Sequence, residues 1–307
     1  MRRWAQRTHL AVLLALAVPA CGGGGSGGYH RSAPAGAIAV SDDAGRRVTL
    51  AQPARRIVSL SPAVTELLFA LGAGERVVGR TTWCDYPPAA RAVPSVGDGL
   101  NPNLEAVAAR QPDLVVLYRS PLNETAAQQL TRLGVAAVIV RQDRLEDLAR
   151  AARLLGRLVG RQAAGDSLAD ALARLVATPA PASHARVAFV AWDNPPIVIG
   201  RGSYLDQLAM LAGAENAFHD IGAASATVGL ETIAQRDPDA IVVLRDSASP
   251  EPPGFARRAE WQVIRAVRQG RFVYLTGSLF GRPGPRAATA AAELRHLLEA
   301  LTPGRRP

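Results

Sequence analysis

The sequence predicts an α/β protein of two similar lobes, each a mostly parallel sheet flanked by helices, joined by a long rigid helix. Two observations lead to this prediction. Apolar strand segments alternate with helical segments along the chain, and the second half repeats the order of the first. At 307 residues the chain is long enough for two lobes that each bury a core.

The first half has the pattern of one α/β lobe. The segment IAVSDDAGRRVTL alternates on both sides of a turn at Asp43-Ala44-Gly45 and predicts a β-hairpin. RRIVSLSP predicts a buried strand that ends at a helix start, with Ser61 as N-cap and Pro62 at the first helical position. The helix AVTELLFALG closes at Gly72. Further strands and helices are predicted in RVVGR, LEAVAARQ, DLVVLY, NETAAQQLTRLG and VAAVIV, with a Pro- and Gly-rich loop after RVVGR.

The middle of the chain is helical and separates the two halves. RLEDLARAARLLGRLVG and RQAAGDSLADALARLVAT contain few helix breakers. After them, ARVAFVAW, PDAIVVL and RFVYLT predict strands, while GSYLDQLAMLAG, LETIAQRD, EWQVIRAVRQG and RAATAAAELRHLLEAL predict helices. Because a second α/β pattern follows, we place the first lobe at residues 37–143, connecting helices at 144–180 and the second lobe at 181–307.

An internal repeat supports the two lobes. Leu104–Leu117 and Leu230–Val243 share seven identities in fourteen positions at an offset of 126 residues, and each carries a glutamate in the same place. Val64–Glu75 matches Tyr204–Glu215 at an offset of 140. Either match alone could be a chance similarity of Ala- and Leu-rich helices. Both in the same order favour duplicated topology, and a cleft between two lobes is a natural ligand site.

The N-terminus predicts export and a lipid anchor. The basic MRRWAQR is followed by the apolar LAVLLALAV, which has signal-peptide length, and then by VPAC, which resembles a bacterial lipobox. We therefore expect a lipoprotein signal peptide at residues 1–20, lipidation of Cys21, and a Gly-rich tether at 21–36. The alternative is an ordinary signal peptide followed by a chance cysteine. With Cys21 lipidated, Cys84 has no intrachain partner and no structural disulfide forms.

Composition and motifs argue against two function classes. The net charge of +9 comes from scattered arginines without a basic run interleaved with aromatics, so we expect no nucleic-acid partner. An enzyme is also disfavoured. The segment SLSP lacks the Gly-x-Ser-x-Gly frame, no His/Glu/Asp cluster has zinc spacing, and no Gly-rich phosphate loop follows a strand. Five histidines are few for acid–base work at neutral pH.

A family resemblance adds to these expectations. RIVSLSPAVTELLFALGAGERVVGRTTWCDYPPAA, followed by PNLEAVAARQPDLVV, resembles the periplasmic binding proteins for cobalamin, ferric siderophores and haem. DYPP, NPP, GAEN and LTGSLFGRPGPR are most similar to the cobalamin-binding members. The resemblance implies a monomer without a cofactor of its own. It would capture a cobalt corrinoid between its lobes and pass it to the permease dimer of an ABC importer with its ATPase subunits.

The resemblance gives the repeated glutamates a role. In the family, one glutamate at the top of each lobe docks into arginine pockets of the permease, and by position these are Glu105 and Glu231. Each lies in the predicted first turn of a short helix, where a carboxylate is favoured by the positive end of the helix. Carboxylate–arginine pairs would fix orientation as well as binding. The alternative is that both are ordinary first-turn glutamates.

The resemblance also implies ligand-binding residues. Trp83 and Tyr118 match aromatics that face the corrin in cobalamin binders, and Arg282 matches an arginine at the polar rim. Trp192 and Tyr86 could extend this wall or belong to the lobe cores. Wide aromatic walls with a few polar groups suit a flat tetrapyrrole. The chain departs from the pattern at two tryptophan positions and one acidic position of the family, which are here Gly99, Ser225 and Ser278.

Two further ligand classes and one further function stay open. Haem would need an axial ligand such as His219 or a tyrosine. A ferric siderophore would need arginines that face its oxygens, for which Arg80, Arg119, Arg201 and Arg282 are candidates. A lipoprotein adhesin or sensor with the same fold is the remaining alternative. It would have no need of both glutamates.

Overall fold

The computed structural model describes residues 36–178, 180, 185–245 and 251–301. The predicted signal peptide, Cys21 and nearly all of the tether therefore lie outside the described residues. Among the helices that are described, none has the length and apolar character to cross a membrane.

A β-hairpin opens the described chain, as predicted. Strands β1 (Ile38–Ser41) and β2 (Arg47–Leu50) pair antiparallel. The Asp42 carboxylate accepts hydrogen bonds from the backbone amides of Ala44 and Arg46 within the turn, at 3.0 and 2.9 Å. It also accepts one from the amide of Ile139 at 3.0 Å, which attaches the hairpin to the neighbouring sheet.

The first lobe contains a four-stranded parallel sheet. Its strands are β3 (Ile57–Leu60), β4 (Val77–Arg80), β5 (Leu114–Tyr118) and β6 (Ala136–Val140), in the order β4-β3-β5-β6. Helices α1 (Pro62–Ala70), α2 (Leu104–Ala108) and α3 (Pro121–Arg132) run between them. Alternate residues of β5 pack into different apolar clusters, Val116 into one and Val115 into the other, so both faces of the sheet are buried.

The helix starts of the first lobe are capped in different ways. Asn103 accepts from the Ala106 amide at 3.0 Å and caps α2, whereas the Ser120 hydroxyl accepts from the Asn123 amide at 3.2 Å and caps α3. Ser61 stands at the N-cap position of α1 as predicted, but its side chain makes no capping bond. Its hydroxyl donates to another side chain instead, so the predicted capping bond is wrong.

The connection between the lobes consists of two packed helices, α4 (Leu145–Leu158) and α5 (Gln162–Ala177), rather than one continuous helix. The chain turns between them at Gly160, where φ is +64°. The helices approach closely at two glycines, because a Cβ on Gly165 would lie 2.6 Å from the Ala152 carbonyl oxygen and one on Gly156 would lie 3.0 Å from the Gly165 Cα. This close packing makes the connection a stiff unit.

The second lobe contains a six-stranded mixed sheet. Its elements in chain order are β7 (Arg186–Asp193), β8 (Pro196–Ile199), α6 (Tyr204–Leu211), β9 (Glu215–Asn216), β10 (Ser225–Thr227), α7 (Leu230–Arg236), β11 (Ala240–Arg245), α8 (Arg265–Arg268), β12 (Phe272–Thr276) and α9 (Ala287–Leu301). The strand order is β10-β8-β7-β11-β12, with β9 beside β7. Strands β7, β9, β11 and β12 are parallel, while β8 and β10 are antiparallel additions that the sequence patterns did not predict.

The two lobes share a topology, so the predicted fold class of two similar α/β lobes is confirmed. In the first lobe β3 pairs with β4 and β5, and in the second β7 pairs with β9 and β11, all parallel. The sequence repeat places α1 on α6, and α2 with β5 on α7 with β11. The helix predicted in EWQVIRAVRQG is mostly absent, since a 3₁₀ turn at Ala259–Val263 and the four-residue α8 occupy that segment.

Candidate functional site

The carboxyl ends of the two parallel sheets contact each other across a cleft. Loops that follow β3 and β4 in the first lobe meet the segment that follows β12 in the second, through hydrogen bonds between residues about two hundred positions apart in sequence. In open α/β sheets ligands bind at the carboxyl ends of the strands. The cleft between the two lobes is therefore the candidate functional site.

An ion cluster of four side chains spans this cleft. Glu66, from the first turns of α1, is 3 % exposed and accepts from two arginines of the second lobe. Arg282 Nε lies 3.2 Å from Glu66 Oε1, and Arg286 donates from Nε and Nη2 to the two carboxylate oxygens at 3.0 and 2.8 Å. Arg282 also pairs with Asp85 in the loop after β4. We call Glu66, Asp85, Arg282 and Arg286 the cross-lobe cluster.

Pairing within the cross-lobe cluster favours the charged forms of Asp85 and Arg286. Burial raises the pKa of Asp85, but the hydrogen bond and the charge of Arg282 outweigh burial and hold that pKa below its ordinary value. Burial lowers the pKa of Arg286, but the hydrogen bond and charge of Glu66 outweigh this and raise it. Two carboxylates and two guanidinium groups leave the cluster neutral in sum.

The structure places Arg282 in the cleft, but with its donors engaged. Its guanidinium donates to Glu66, to Asp85 and, at 3.2 Å, to the backbone oxygen of Trp83. The acidic partner that the resemblance places at position 278 is supplied here by the opposite lobe. Ser278 itself lies 3.4 Å from Arg286 through its hydroxyl oxygen.

Two predicted aromatic residues lie beside the cross-lobe cluster. The side chain of Trp83 is 63 % exposed, in the same loop as Asp85. Tyr86 is 37 % exposed, and the Arg286 guanidinium carbon lies 3.6 Å from the centre of its ring. Tyr86 is thus part of the cleft and not of a lobe core. An exposed indole beside a partly buried ion cluster offers apolar surface next to a polar rim.

Tyr118 and Trp192 end central strands of the two sheets. Tyr118 is the last residue of β5, and its hydroxyl donates to Asp143 at 2.7 Å. Burial, together with the hydrogen bond and charge of Asp143, raises the pKa of Tyr118 to about 12. Trp192, near the end of β7, is 60 % exposed and donates from its indole nitrogen to the Asn194 oxygen at 2.8 Å. Its exposure excludes it from the core of the second lobe.

The two positions that depart from the family's tryptophans have different surroundings. Gly99 has φ +83°, and a Cβ there would lie 2.6 Å from Thr81 Cγ2 and 2.7 Å from the Leu60 carbonyl oxygen. The loop is therefore packed directly on the sheet, and no side chain fits at position 99. Ser225 begins β10 and is exposed.

Glu105 and Glu231 are exposed carboxylates in corresponding places of the two lobes. Each stands in the first turn of a short helix, α2 or α7. Both helices lead back from the carboxyl edge of their sheet to the next parallel strand. Neither carboxylate has an ion-pair or hydrogen-bonding partner within the part of the chain that the structure describes, whereas many other acidic side chains pair with arginines. Both are thus available to an external cation.

Most of the residues considered as contacts for haem or a siderophore already make hydrogen bonds or ion pairs within the protein. His219 Nδ1 lies 3.0 Å from a carboxylate oxygen of the buried Asp206, in the second lobe. Arg80 donates to the backbone oxygens of Thr81 and Arg91, and Arg119 pairs with Glu124. Within the described ranges, no group of three or more His, Cys, Asp or Glu side chains could hold a metal ion.

Sequence reasoning missed both carboxylates of the cross-lobe cluster. Glu66 stands in the apolar helix segment AVTELLFALG, and a charge inside such a segment was the available signal. The repeat places it on Asp206, which is also fully buried and bonds to Asn216 at 2.9 Å and to His219. The same helix position therefore carries a buried acid in both lobes, paired across the cleft in one and within the lobe in the other.

Two α/β lobes whose carboxyl edges meet across a cleft with exposed aromatics have the architecture of a two-lobed ligand-binding protein. The chain belongs to the periplasmic binding protein family, which it matches over residues 57–279. The family consists of binding proteins rather than enzymes. This agrees with the absence of an enzyme motif in the sequence.

The chain is similar to several other binding proteins. The vitamin B12-binding protein of Salmonella typhimurium is 36 % identical over 194 residues, which are 62 % of this chain and 72 % of the relative. An uncharacterised ABC transporter substrate-binding lipoprotein of Bacillus subtilis is 27 % identical over 84 % of each chain. The solved periplasmic haem-binding protein BhuT, in complex with two haems, has a TM-score of 0.67 at 26 % identity, covering 82 % of this chain and all of its own. The solved vitamin B12-binding protein of Vibrio cholerae shares the fold, with a TM-score of 0.63 at 23 % identity over 81 % of this chain and 98 % of its own.

Proposed function

We propose that this protein is a lipid-anchored, extracytoplasmic substrate-binding protein of an ABC importer that holds a corrinoid between its lobes and delivers it to the permease. Membership of the periplasmic binding protein family gives the substrate-binding role and the location outside the cytoplasm. The corrinoid, the lipid anchor at Cys21 and the docking by Glu105 and Glu231 are the further steps of the proposal.

The observation that carries the ligand assignment is the set of aromatic side chains at the carboxyl ends of both sheets. Trp83, Tyr86 and Trp192 are exposed, and Tyr118 is half-buried with its hydroxyl fixed by Asp143. A corrin ring presents a wide apolar face and a rim of amides, which fits aromatic surfaces beside the polar cross-lobe cluster. The vitamin B12-binding relatives support the same ligand class.

Haem is the second candidate ligand, because a haem-binding protein is among the structures that match along their full length. A tyrosine could supply the axial oxygen. Tyr118 is poorly suited in this state, since its hydroxyl is engaged by Asp143 and its pKa is raised to about 12. Tyr86, against the Arg286 guanidinium, is the better-placed tyrosine.

Calorimetric titration tests the ligand. We expect cyanocobalamin to bind the full chain in detergent with one-to-one stoichiometry and a dissociation constant below about 1 μM. Cobinamide, haemin and a ferric siderophore serve as competitors. Absence of heat with cyanocobalamin, together with saturable binding of haemin or the siderophore, would overturn the corrinoid and leave the importer role intact.

Replacement of Trp83 tests the aromatic wall. We expect Trp83→Ala to weaken cyanocobalamin binding about tenfold or more, since a buried aromatic contact contributes about 1.5–3 kcal/mol. Leu100→Ala is the matched control, because Leu100 lies in the same loop and is 68 % exposed. Equal affinities for wild type and Trp83→Ala would remove Trp83 from the site.

Lipidation is tested separately. Mass spectrometry of the protein purified from membranes should show a processed chain that begins at Cys21 with an acyl modification. Cys21→Ala should be recovered without the modification and in the soluble fraction. An unmodified chain with the wild-type sequence would contradict the anchor without affecting the ligand proposal.

A further inference from the structure

Backbone amides in the first turn of helix α1 lack a hydrogen-bond acceptor among the described residues. Ser61 is the N-cap residue by its extended backbone, but its side chain does not cap the helix, and Pro62 at the first position has no amide hydrogen. The amides of Ala63 and Val64 have no hydrogen-bond partner within the described ranges. The first amide of this helix to bond is that of Thr65, which donates to the Ser61 oxygen at 3.0 Å.

A buried amide adds a further donor at the same place. Gln142 follows strand β6 and is 7 % exposed. Its Oε1 accepts from the Ser61 hydroxyl at 2.5 Å, which holds the amide group against the start of α1. Its Nε2 is buried and has no partner among the described residues. An unpaired buried donor destabilises the protein, so an incoming acceptor would recover that free energy.

The electrostatics at this position favour an oxygen acceptor. The start of a helix carries a partial positive charge. The nearest acidic residue on α1, Glu66, is already paired with Arg282 and Arg286. Asp143, next to Gln142, accepts from the Tyr118 hydroxyl. The carboxylates of Glu66 and Asp143 are therefore both engaged by other groups, and neither occupies the unpaired donors of α1 and Gln142.

We propose that the start of α1 and the Gln142 amide form a subsite for an oxygen acceptor at the rim of the ligand. The chemical class is a carboxylate, a phosphate or a carboxamide carbonyl. The inference rests on the proposed function, because it takes the ligand to lie between the lobes. It gives that ligand a fixed polar contact on the first lobe, at the carboxyl end of the central strand β3, besides the aromatic wall. Cyanocobalamin would present an amide or phosphate oxygen, and haemin a carboxylate.

The variant Gln142→Glu tests the subsite, because it keeps the size of the side chain and puts an anionic oxygen where the free donor stands. If the subsite accepts oxygen, the new carboxylate bonds to the open amides of α1 and occupies the subsite. We expect the midpoint of thermal unfolding at neutral pH to rise by about 3 °C. We expect cyanocobalamin to bind about tenfold more weakly, because its own oxygen is displaced. Gln129→Glu, the same change at an exposed position of α3, is the control and should alter neither quantity.

Two results would overturn the subsite. A lower unfolding midpoint for Gln142→Glu would mean that the start of α1 rejects an anionic oxygen. A raised midpoint with unchanged affinity for both cyanocobalamin and haemin would mean that the donors serve the fold alone. If wild type binds neither probe, the proposed function fails. The direction of the thermal shift then still decides whether the start of α1 accepts an oxygen.

Discussion

At the scale of single residues, Glu66 links the two lobes. It is nearly fully buried, and its two carboxylate oxygens accept from two arginines of the opposite lobe. A buried carboxylate is tolerated because guanidinium groups neutralise it and fill its hydrogen-bonding sites. The cost of removing Glu66 is large, because Arg286 would keep a largely buried charge without its carboxylate partner.

Replacement of Glu66 by Gln should therefore destabilise the protein by about 3 kcal/mol. Chemical denaturation in urea measures the change in the free energy of unfolding. Glu124→Gln is the matched control, because Glu124 pairs with Arg119 at the surface, where the two side chains are 39 % and 45 % exposed. The control should change stability by less than about 1 kcal/mol. Similar losses in both variants would show that the cross-lobe pairing of Glu66 contributes little.

Sequence reasoning finds some of these residues and misses others for a physical reason. Glu105 and Glu231 stand out because the repeat places them in equivalent helix turns. The charge of Glu66 inside an apolar helix segment marks it as unusual, but its partner Arg282 is 216 positions away in sequence. Pairing over such a separation depends on how the two lobes meet, which local propensity and periodicity do not encode.

At the scale of elements, the packing of α4 on α5 controls the connection between the lobes. Gly165 is buried in the interior of α5, and a Cβ there would lie 2.6 Å from the backbone oxygen of Ala152. Glycine in a helix interior ordinarily costs about 1 kcal/mol relative to alanine. At position 165 the close approach of the two helices outweighs this propensity.

Gly165→Ala should accordingly destabilise the protein by about 1–3 kcal/mol, although the same substitution stabilises an ordinary helix. Ala164→Leu is the control, because it adds a larger group on the exposed neighbouring position and should change stability by less than about 0.5 kcal/mol. Thermal or urea unfolding compares the two. A stabilised Gly165→Ala variant would show that the helices separate without cost.

Elements with strong periodic patterns were predictable, and the exceptions have local causes. The parallel strands other than the two-residue β9, together with α1 to α7 and α9, follow from apolar runs bounded by turn residues. Strands β8 and β10 are short, and their pairing is set by contacts within the second sheet. In EWQVIRAVRQG, Trp261 is buried against Phe255 with ring centroids 4.2 Å apart, and the backbone there forms a 3₁₀ turn. Packing of one large side chain thus overrides helical periodicity.

At the scale of the whole molecule, the cross-lobe cluster couples the stability of the protein to pH. Burial raises the pKa of Asp85, but Arg282 outweighs burial and leaves that pKa below the ordinary value of 3.8. The unfolded chain therefore binds more protons than the folded chain in this range. The stabilisation by Asp85 is present above the unfolded pKa and is lost as the pH falls through the folded pKa.

Unfolding curves of Asp85→Asn and wild type should consequently converge as the pH is lowered from neutral to about 3. At neutral pH the variant should be less stable by about 1 kcal/mol, a small value because Asp85 is partly exposed. Glu293→Gln, at an exposed glutamate of α9, is the control and should run parallel to wild type. A constant gap between Asp85→Asn and wild type at every pH would contradict this coupling.

The position of the two exposed glutamates makes a prediction for the complete transport cycle. In the proposed function, a permease that docks both lobes at once would bind Glu105 and Glu231 together and would then act on the cross-lobe cluster to open the cleft. Each carboxylate–arginine pair is worth about 1.5–3 kcal/mol. Replacing both glutamates by alanine should weaken docking by at least about 100-fold and abolish uptake of radiolabelled cyanocobalamin by cells that produce the variant. Ligand affinity measured by calorimetry should stay unchanged, because the proposed docking role assigns both carboxylates to the permease and neither to the ligand.

The matched control for docking is the double variant Glu75→Ala with Glu293→Ala, which removes two other exposed glutamates and the same net charge. Glu75 precedes β4 and so lies at the opposite, amino edge of the first sheet, away from Glu105. The control should transport like wild type, and each single docking variant should fall between wild type and the double variant. Reduced ligand affinity in the docking variant, or an equal loss of uptake in the control, would refute the assignment. Uptake lost only in the docking variant, at full ligand affinity, would show that binding and delivery are carried by separate surfaces of the same two lobes.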